Sequence, residues 1–235
     1  MRNICMVLML FMGAGLTQGA QIVQNFMIPS SGTPASVNFM NSTDVARFDP
    51  LLGTLLSINF DLEGTINGTQ FIDNEDNNGI VNGTGATTVQ LNLSNASAGH
   101  LITVAPVASF TFTVTGDSDV NPDFQGTDFA SNSFANVVKS ANTTISDAMV
   151  LGIFSGPGNI TLNLSALGSF EVTPGGNLAT LTFTQGLARG TITYVYNEAP
   201  STAEIPEPLT MLLIGGGLAM IGLRKRGRFE RSQAA

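Results

Sequence analysis

Apolar residues recur at every second position in run after run along the middle of this chain, and the positions between them are mostly Thr, Ser or Asn. A period of two is the spacing of side chains on one face of a strand, so each run has one face to bury and one to wet. Leu56, Ile58, Phe60 and Leu62 alternate with Ser57, Asn59 and Asp61, and Phe110, Phe112 and Val114 alternate with Thr111, Thr113 and Thr115. Val37 and Phe39, Val89 to Leu93, Ile160 to Leu164, Leu181 with Phe183, and Ile192 to Tyr196 repeat the pattern. About eight strands follow, each with a single apolar face. Two antiparallel sheets packed on those faces satisfy them, so the predicted class is an all-β, two-sheet β-sandwich of Ig-like or jelly-roll-like kind.

Turn chemistry punctuates the runs. Asn67-Gly68 and Asn82-Gly83 each read as a tight hairpin turn, because both residues tolerate the positive φ such turns require. Gly156-Pro157-Gly158 and Pro174-Gly175-Gly176 separate later strands. Helical spacing is predicted in the body only around Phe134 to Val138. Residues 198–205, with Pro200 inside and Pro206 behind, read as an extended linker.

Both ends of the chain differ from this body. Arg2 precedes the apolar stretch Ile4 to Leu16, and the small residues Gly19 and Ala20 follow, which is the anatomy of a secretory signal peptide over residues 1–20. Export through the Sec translocon and cutting by signal peptidase are expected, after Gly19 or after Ala20. Removing that segment removes Cys5, the one cysteine, so no disulfide framework is available and residues 21–197 must fold on burial alone.

At the other end, Pro206-Glu207-Pro208 precedes an uncharged run of fifteen residues, Leu209 to Leu223, and then the cations Arg224, Lys225, Arg226 and Arg228. The run is shorter than the ~20 residues of a relaxed transmembrane helix, and snorkelling basic stems extend it far enough to cross. Cations after the span hold the C-terminus in the cytoplasm, which puts the body outside. Over residues 206–231 this order of elements resembles the PEP-CTERM sorting signal of exported bacterial proteins. The resemblance implies that a membrane-embedded cysteine protease, an exosortase, cuts near the motif. An ordinary uncut anchor would share every residue except Pro206-Glu207-Pro208.

Arg47-Phe48-Asp49-Pro50-Leu51-Leu52-Gly53-Thr54-Leu55-Leu56-Ser57-Ile58, together with the closing run Gly190 to Tyr196, resembles the choice-of-anchor E domain found with such tails. That family implies no chemistry for any residue. The residues themselves read as a structural corner, in which Asp49-Pro50 starts a turn, Gly53 lets it close and Phe48 anchors it.

Charge narrows the partners. Residues 21–205 carry fifteen acidic side chains against Arg47, Lys139 and Arg189, a net charge of −12 where the whole chain has −8. Nucleic acid and anionic membrane surfaces are disfavoured. Catalysis is not expected, since the body has one histidine, His100, no cysteine, and neither a Gly-x-Ser-x-Gly elbow nor a phosphate loop. Two acidic segments are candidates for calcium, which wants several oxygen ligands. Residues 73–79 place Gly85 where an EF-hand needs its bidentate ligand, and residues 117–128 place Pro122 where it needs glycine. An irregular calcium loop built from Asp117, Asp119, Asn121, Asp123 and Asp128 stands beside the plainer reading of a solvated acidic loop. The expected function is that of a non-catalytic cell-envelope or extracellular-matrix protein. The alternative is a carbohydrate-binding module for secreted exopolysaccharide, against which count the absence of Trp and the placement of both tyrosines on the Ile192 face.

Overall fold

The structure, a computed structural model, describes residues 19–76, 79–116, 122–173 and 176–200. Its strands, in chain order, are β1 (Ala20–Ile28), β2 (Ala35–Ser36), β3 (Phe39–Ala46), β4 (Gly53–Asn74), β5 (Ile80–Asn95), β6 (Gly99–Val104), β7 (Val107–Thr115), β8 (Phe129–Ile145), β9 (Asn159–Thr173) and β10 (Leu178–Glu198). One short helix, α1 (Ala148–Ile153), joins β8 to β9. The body is thus the two-sheet antiparallel sandwich that the alternation predicts.

One sheet runs β1-β10-β4-β8, with β2 on the β1 side of β10, and the other runs β3-β9-β5-β6, with β7 continuing the edge beside β6. Pairing is nested. The first strand pairs with the last, β3 with β9, β4 with β8, and β5 with its neighbours β6 and β7. Two further pairings between long strands are lateral: β4 with β10 along their entire lengths, from Gly53↔Glu198 to Asn74↔Leu178, and β5 with β9 from Thr84↔Thr173 to Ser94↔Asn163.

The inner faces meet in one large core. Ile58, Phe60 and Leu62 of β4 and Ile192 and Tyr194 of β10 face Val89, Leu91 and Leu93 of β5 and Leu162 and Leu164 of β9, all fully or almost fully buried. Each such side chain contributes about 1.5–3 kcal/mol of burial. A smaller cluster of Ile72, Phe112 and Val114 lies at the far end. Between the two sits a buried polar link: the Gln70 amide donates to Thr87 Oγ1 and to the Ala108 carbonyl, and accepts from Asn132.

The corner at residues 48–53 is built as its residues dictate. Asp49 Oδ1 accepts from the Leu51 amide at 2.9 Å, capping a 3₁₀ turn that has Pro50 at its start, and Gly53 closes it at φ 144°. Phe48, 1% exposed, packs its ring 5.1 Å from that of Tyr196 and 6.1 Å from that of Tyr194. The Tyr194 hydroxyl donates to the Ala46 carbonyl at 2.9 Å, and the Gln24 side chain also grips the Ala46 backbone. Burial pushes the Tyr194 phenol up to about 12, against the opposing pull of the Arg47 guanidinium.

Several local expectations are corrected. Asn67-Gly68 and Asn82-Gly83 turn nothing; they lie inside β4 and β5. Asn67 marks a β-bulge, where its Oδ1 accepts from the Asn136 amide at 2.6 Å and Asn136 takes φ 53°. At Gly83 a Cβ would stand 2.7 Å from the Phe112 ring, so here glycine makes room for a cross-strand aromatic. Phe134 to Val138 is strand, and the helix comes later, where Asp147 caps it by accepting from the amides of Met149 and Val150. Leu56 is the unpaired residue of a second bulge and is 42% exposed, while its neighbour Leu55 packs on the core. Leu181 and Phe183 face solvent rather than the core, at 40% and 62% exposed.

Candidate functional site

Strands β1, β10, β4 and β8 lie side by side, so residues far apart in the chain line up across the outer face of their sheet. One row reads Asn25, Thr191, Asp61, Asn142, each directly opposite the next. The row beside it reads Met27, Arg189, Glu63, Ser140. Neighbours within a row are about 5 Å apart and the rows about 7 Å apart. Together they line an open trough of about 700 Å³. Thr191 donates to Asn25 Oδ1 at 3.0 Å, which fixes the amide in the row.

The trough offers two carboxylates, one guanidinium, two amides and two hydroxyls. Its lining includes no histidine or cysteine, and its groups can act by hydrogen bonding and charge. Asp61 is recognisable in sequence as a wet-face residue. Its alignment with Asn25, Asn142 and Thr191 is not, because register is a long-range property.

On the same outer face, toward the far end, Phe71 of β4 is ringed by Phe183, Phe129 and Phe124 at centroid distances of 5.9–6.2 Å. Phe124 belongs to the described part of the acidic segment before β8, and its ring lies 6.2 Å from that of Phe71. Its backbone amide donates to Asp73 Oδ2 at 2.7 Å, and Asp73 is 1% exposed. The Asn74 amide bonds the Asp128 carbonyl and the Gly116 amide bonds the Gly79 carbonyl, so the described ends of the two acidic segments are neighbours.

Of the five candidate calcium ligands, Asp117, Asp119 and Asn121 lie outside the described residues. Asp123 is exposed and its Oδ1 accepts from the Gln125 amide at 2.8 Å, while Asp128 is buried at 2%. Among the described residues no group of three or more His, Cys, Asp or Glu side chains is arranged to hold a metal ion. His100 is exposed on β6, with its Nε2 3.4 Å from the Thr103 hydroxyl. The sorting motif Pro206, Glu207 and Pro208, the span Leu209 to Leu223, and the cluster Arg224, Lys225, Arg226 and Arg228 all lie outside the described residues, as do positions 1–18. No helix among the described residues is long and apolar enough to cross a membrane.

Fold and site together define a two-sheet antiparallel β-sandwich with a polar trough across one outer face. No family model matches the chain, and no curated protein matches it. Among solved structures it is similar to a protein of infectious bursal disease virus Gx strain, at 16% identity over 77% of this chain and 37% of that one, with a TM-score of 0.16. The chain therefore spans little more than a third of that protein's length. It is also similar to turnip yellow mosaic virus, at 11% identity over 79% of this chain and 99% of that one, TM-score 0.21, and to Desmodium yellow mottle tymovirus, at 11% identity over 79% and 92%, TM-score 0.19.

Proposed function

We propose that this chain is an exported, non-catalytic protein of the bacterial cell envelope or extracellular matrix, a jelly-roll module delivered through its C-terminal sorting signal. The observation that carries the reading is where the fold closes. The last pairing of β10 is Glu198 with Gly53, and the compact unit ends at Glu198, before Pro206-Glu207-Pro208 and the apolar run that follows. Every described strand ends at or before Glu198, so a protease cutting near the motif would release the body with all of these strands intact. At the other end β1 starts at Ala20, paired with Tyr196, and signal-peptide cleavage after Gly19 would leave it whole.

The jelly-roll assignment, in preference to an Ig-like one, rests on the nested pairing. A single long antiparallel hairpin, first strand against last and third against ninth, rolls up into two sheets in that strand order. The non-catalytic reading rests on the sequence, in which residues 21–205 carry one histidine, no cysteine, and neither a Gly-x-Ser-x-Gly elbow nor a phosphate loop.

The test is the mass of the product in the native host, with and without its sorting protease. A body ending near Pro206 in the presence of the protease, and a retained full-length tail in its absence, is the expected result. Glu207→Ala should leave the protein inserted and uncut. A full-length tail under both conditions would make the segment a plain anchor.

A further inference from the structure

We infer that the trough across β1, β10, β4 and β8 is a binding site for the mid-chain portion of a neutral, hydroxyl-rich polysaccharide. The floor of the trough is the interior of the sheet. Thr191 is paired on one side with Asn25 and on the other with Asp61, and Asp61 in turn with Asn142, so the β4 and β10 backbones are spent on their neighbours. A peptide cannot add there as a further strand. What remains for a ligand is the side chains, and these are the groups that pair with sugar hydroxyls. Each hydroxyl both donates and accepts. Asn25 and Asn142 present donor and acceptor in one plane, Asp61 and Glu63 accept, and Arg189 donates.

Shape narrows the ligand further. Small molecules are held in pockets that bury most of their surface. This trough is open and runs across the sheet, so it suits a chain passing through rather than a molecule enclosed. Charge sets the class. Two carboxylates against one guanidinium leave the trough negative, inside a body of net charge −12, so uronate-bearing or sulfated chains are repelled and uncharged ones are not. The inference leans on the extracytoplasmic reading only for where such a polymer would be met.

The test is affinity electrophoresis of the purified full-length protein in detergent, in native gels cast with dextran, a β-glucan or a galactomannan, with alginate as the anionic comparator. At least one neutral polymer should retard the protein and alginate should not. The double variant Asp61→Ala, Asn142→Ala should bind the retarding polymer at least about tenfold more weakly, with an unchanged thermal midpoint, since both side chains are exposed. Three results would each overturn the assignment: no retardation by any of the neutral polymers, retardation by alginate alone, or a double variant retarded like the parent protein. Binding is read on purified protein, so its failure leaves the sorting proposal standing, and a sorting failure leaves the binding readout unaffected.

Discussion

Gln70 on β4 and Thr87 on β5 join the two sheets through one buried hydrogen bond of 2.7 Å, made by side chains at 0% and 1% exposure. The same amide donates at 3.0 Å to the Ala108 carbonyl and accepts at 3.2 Å from Asn132. This polar link sits between the large core and the small cluster around Ile72, where apolar contact alone would leave the spacing of the sheets free to slide.

Replacing one end of such a link leaves the other buried and unpaired, at about 1–3 kcal/mol. Gln70→Leu should cost that much in urea unfolding. Adding Thr87→Val should recover part of the loss, because the hydroxyl stranded by the first substitution is then gone. Strict additivity of the two changes would show that the pair is not coupled.

Tyr194 gives the fold an alkaline limit. Burial pushes its phenol up to about 12 in the folded protein from the ordinary tyrosine value of about 10, so the folded state holds the proton more tightly than the unfolded one. The stability this contributes is fully present below pH 10 and drains away as pH rises from 10 toward 12. In Tyr194→Phe that part of the alkaline loss should disappear from pH-dependent melts. At neutral pH the variant should cost only about 1 kcal/mol, since the Ala46 carbonyl keeps its bond from Gln24.

Gly68 stands where a Cβ would run into the Phe183 carbonyl oxygen and the Phe134 ring. Backbone cannot swing aside as a flexible side chain can, so Gly68→Ala should destabilise by about 1–3 kcal/mol through overpacking. The control is Gly99→Ala, at φ +76° with no neighbour inside 4 Å, where backbone strain alone acts. Filling the Gly68 position without loss of stability would contradict the bulge.

The outward parity of β10 makes a sharp contrast between two apolar residues of one strand. Phe183→Ser should cost less than about 1 kcal/mol, because it forfeits an edge contact with Phe71 and little burial. Ile192→Ser, nine residues on and fully buried, should cost several times as much by creating a cavity that holds an unpaired hydroxyl. Equal losses in thermal unfolding would mean that the two residues share a face.

Period-two alternation is a local property, so the class of fold, two antiparallel sheets packed face to face, could be read from the sequence alone. Phe48, Asp49 and Gly53 likewise disclose the corner they make, because each acts on its immediate neighbours. Strand continuity is different. Leu181 and Phe183 look like core when they are taken as a strand of their own, but β10 runs unbroken from Leu178 to Glu198, and one strand has one parity. Burying Ile192 and Tyr194 therefore turns Thr182 and Thr184 inward and both apolar residues out. Asn67-Gly68 has the chemistry of a turn, and what makes it a bulge is the pairing of β4 with both β8 and β10 across it. The trough has the same origin. Asn25, Asp61, Asn142 and Thr191 are ordinary wet-face residues one at a time, and only the register of four strands, set by long-range burial, places them in a row.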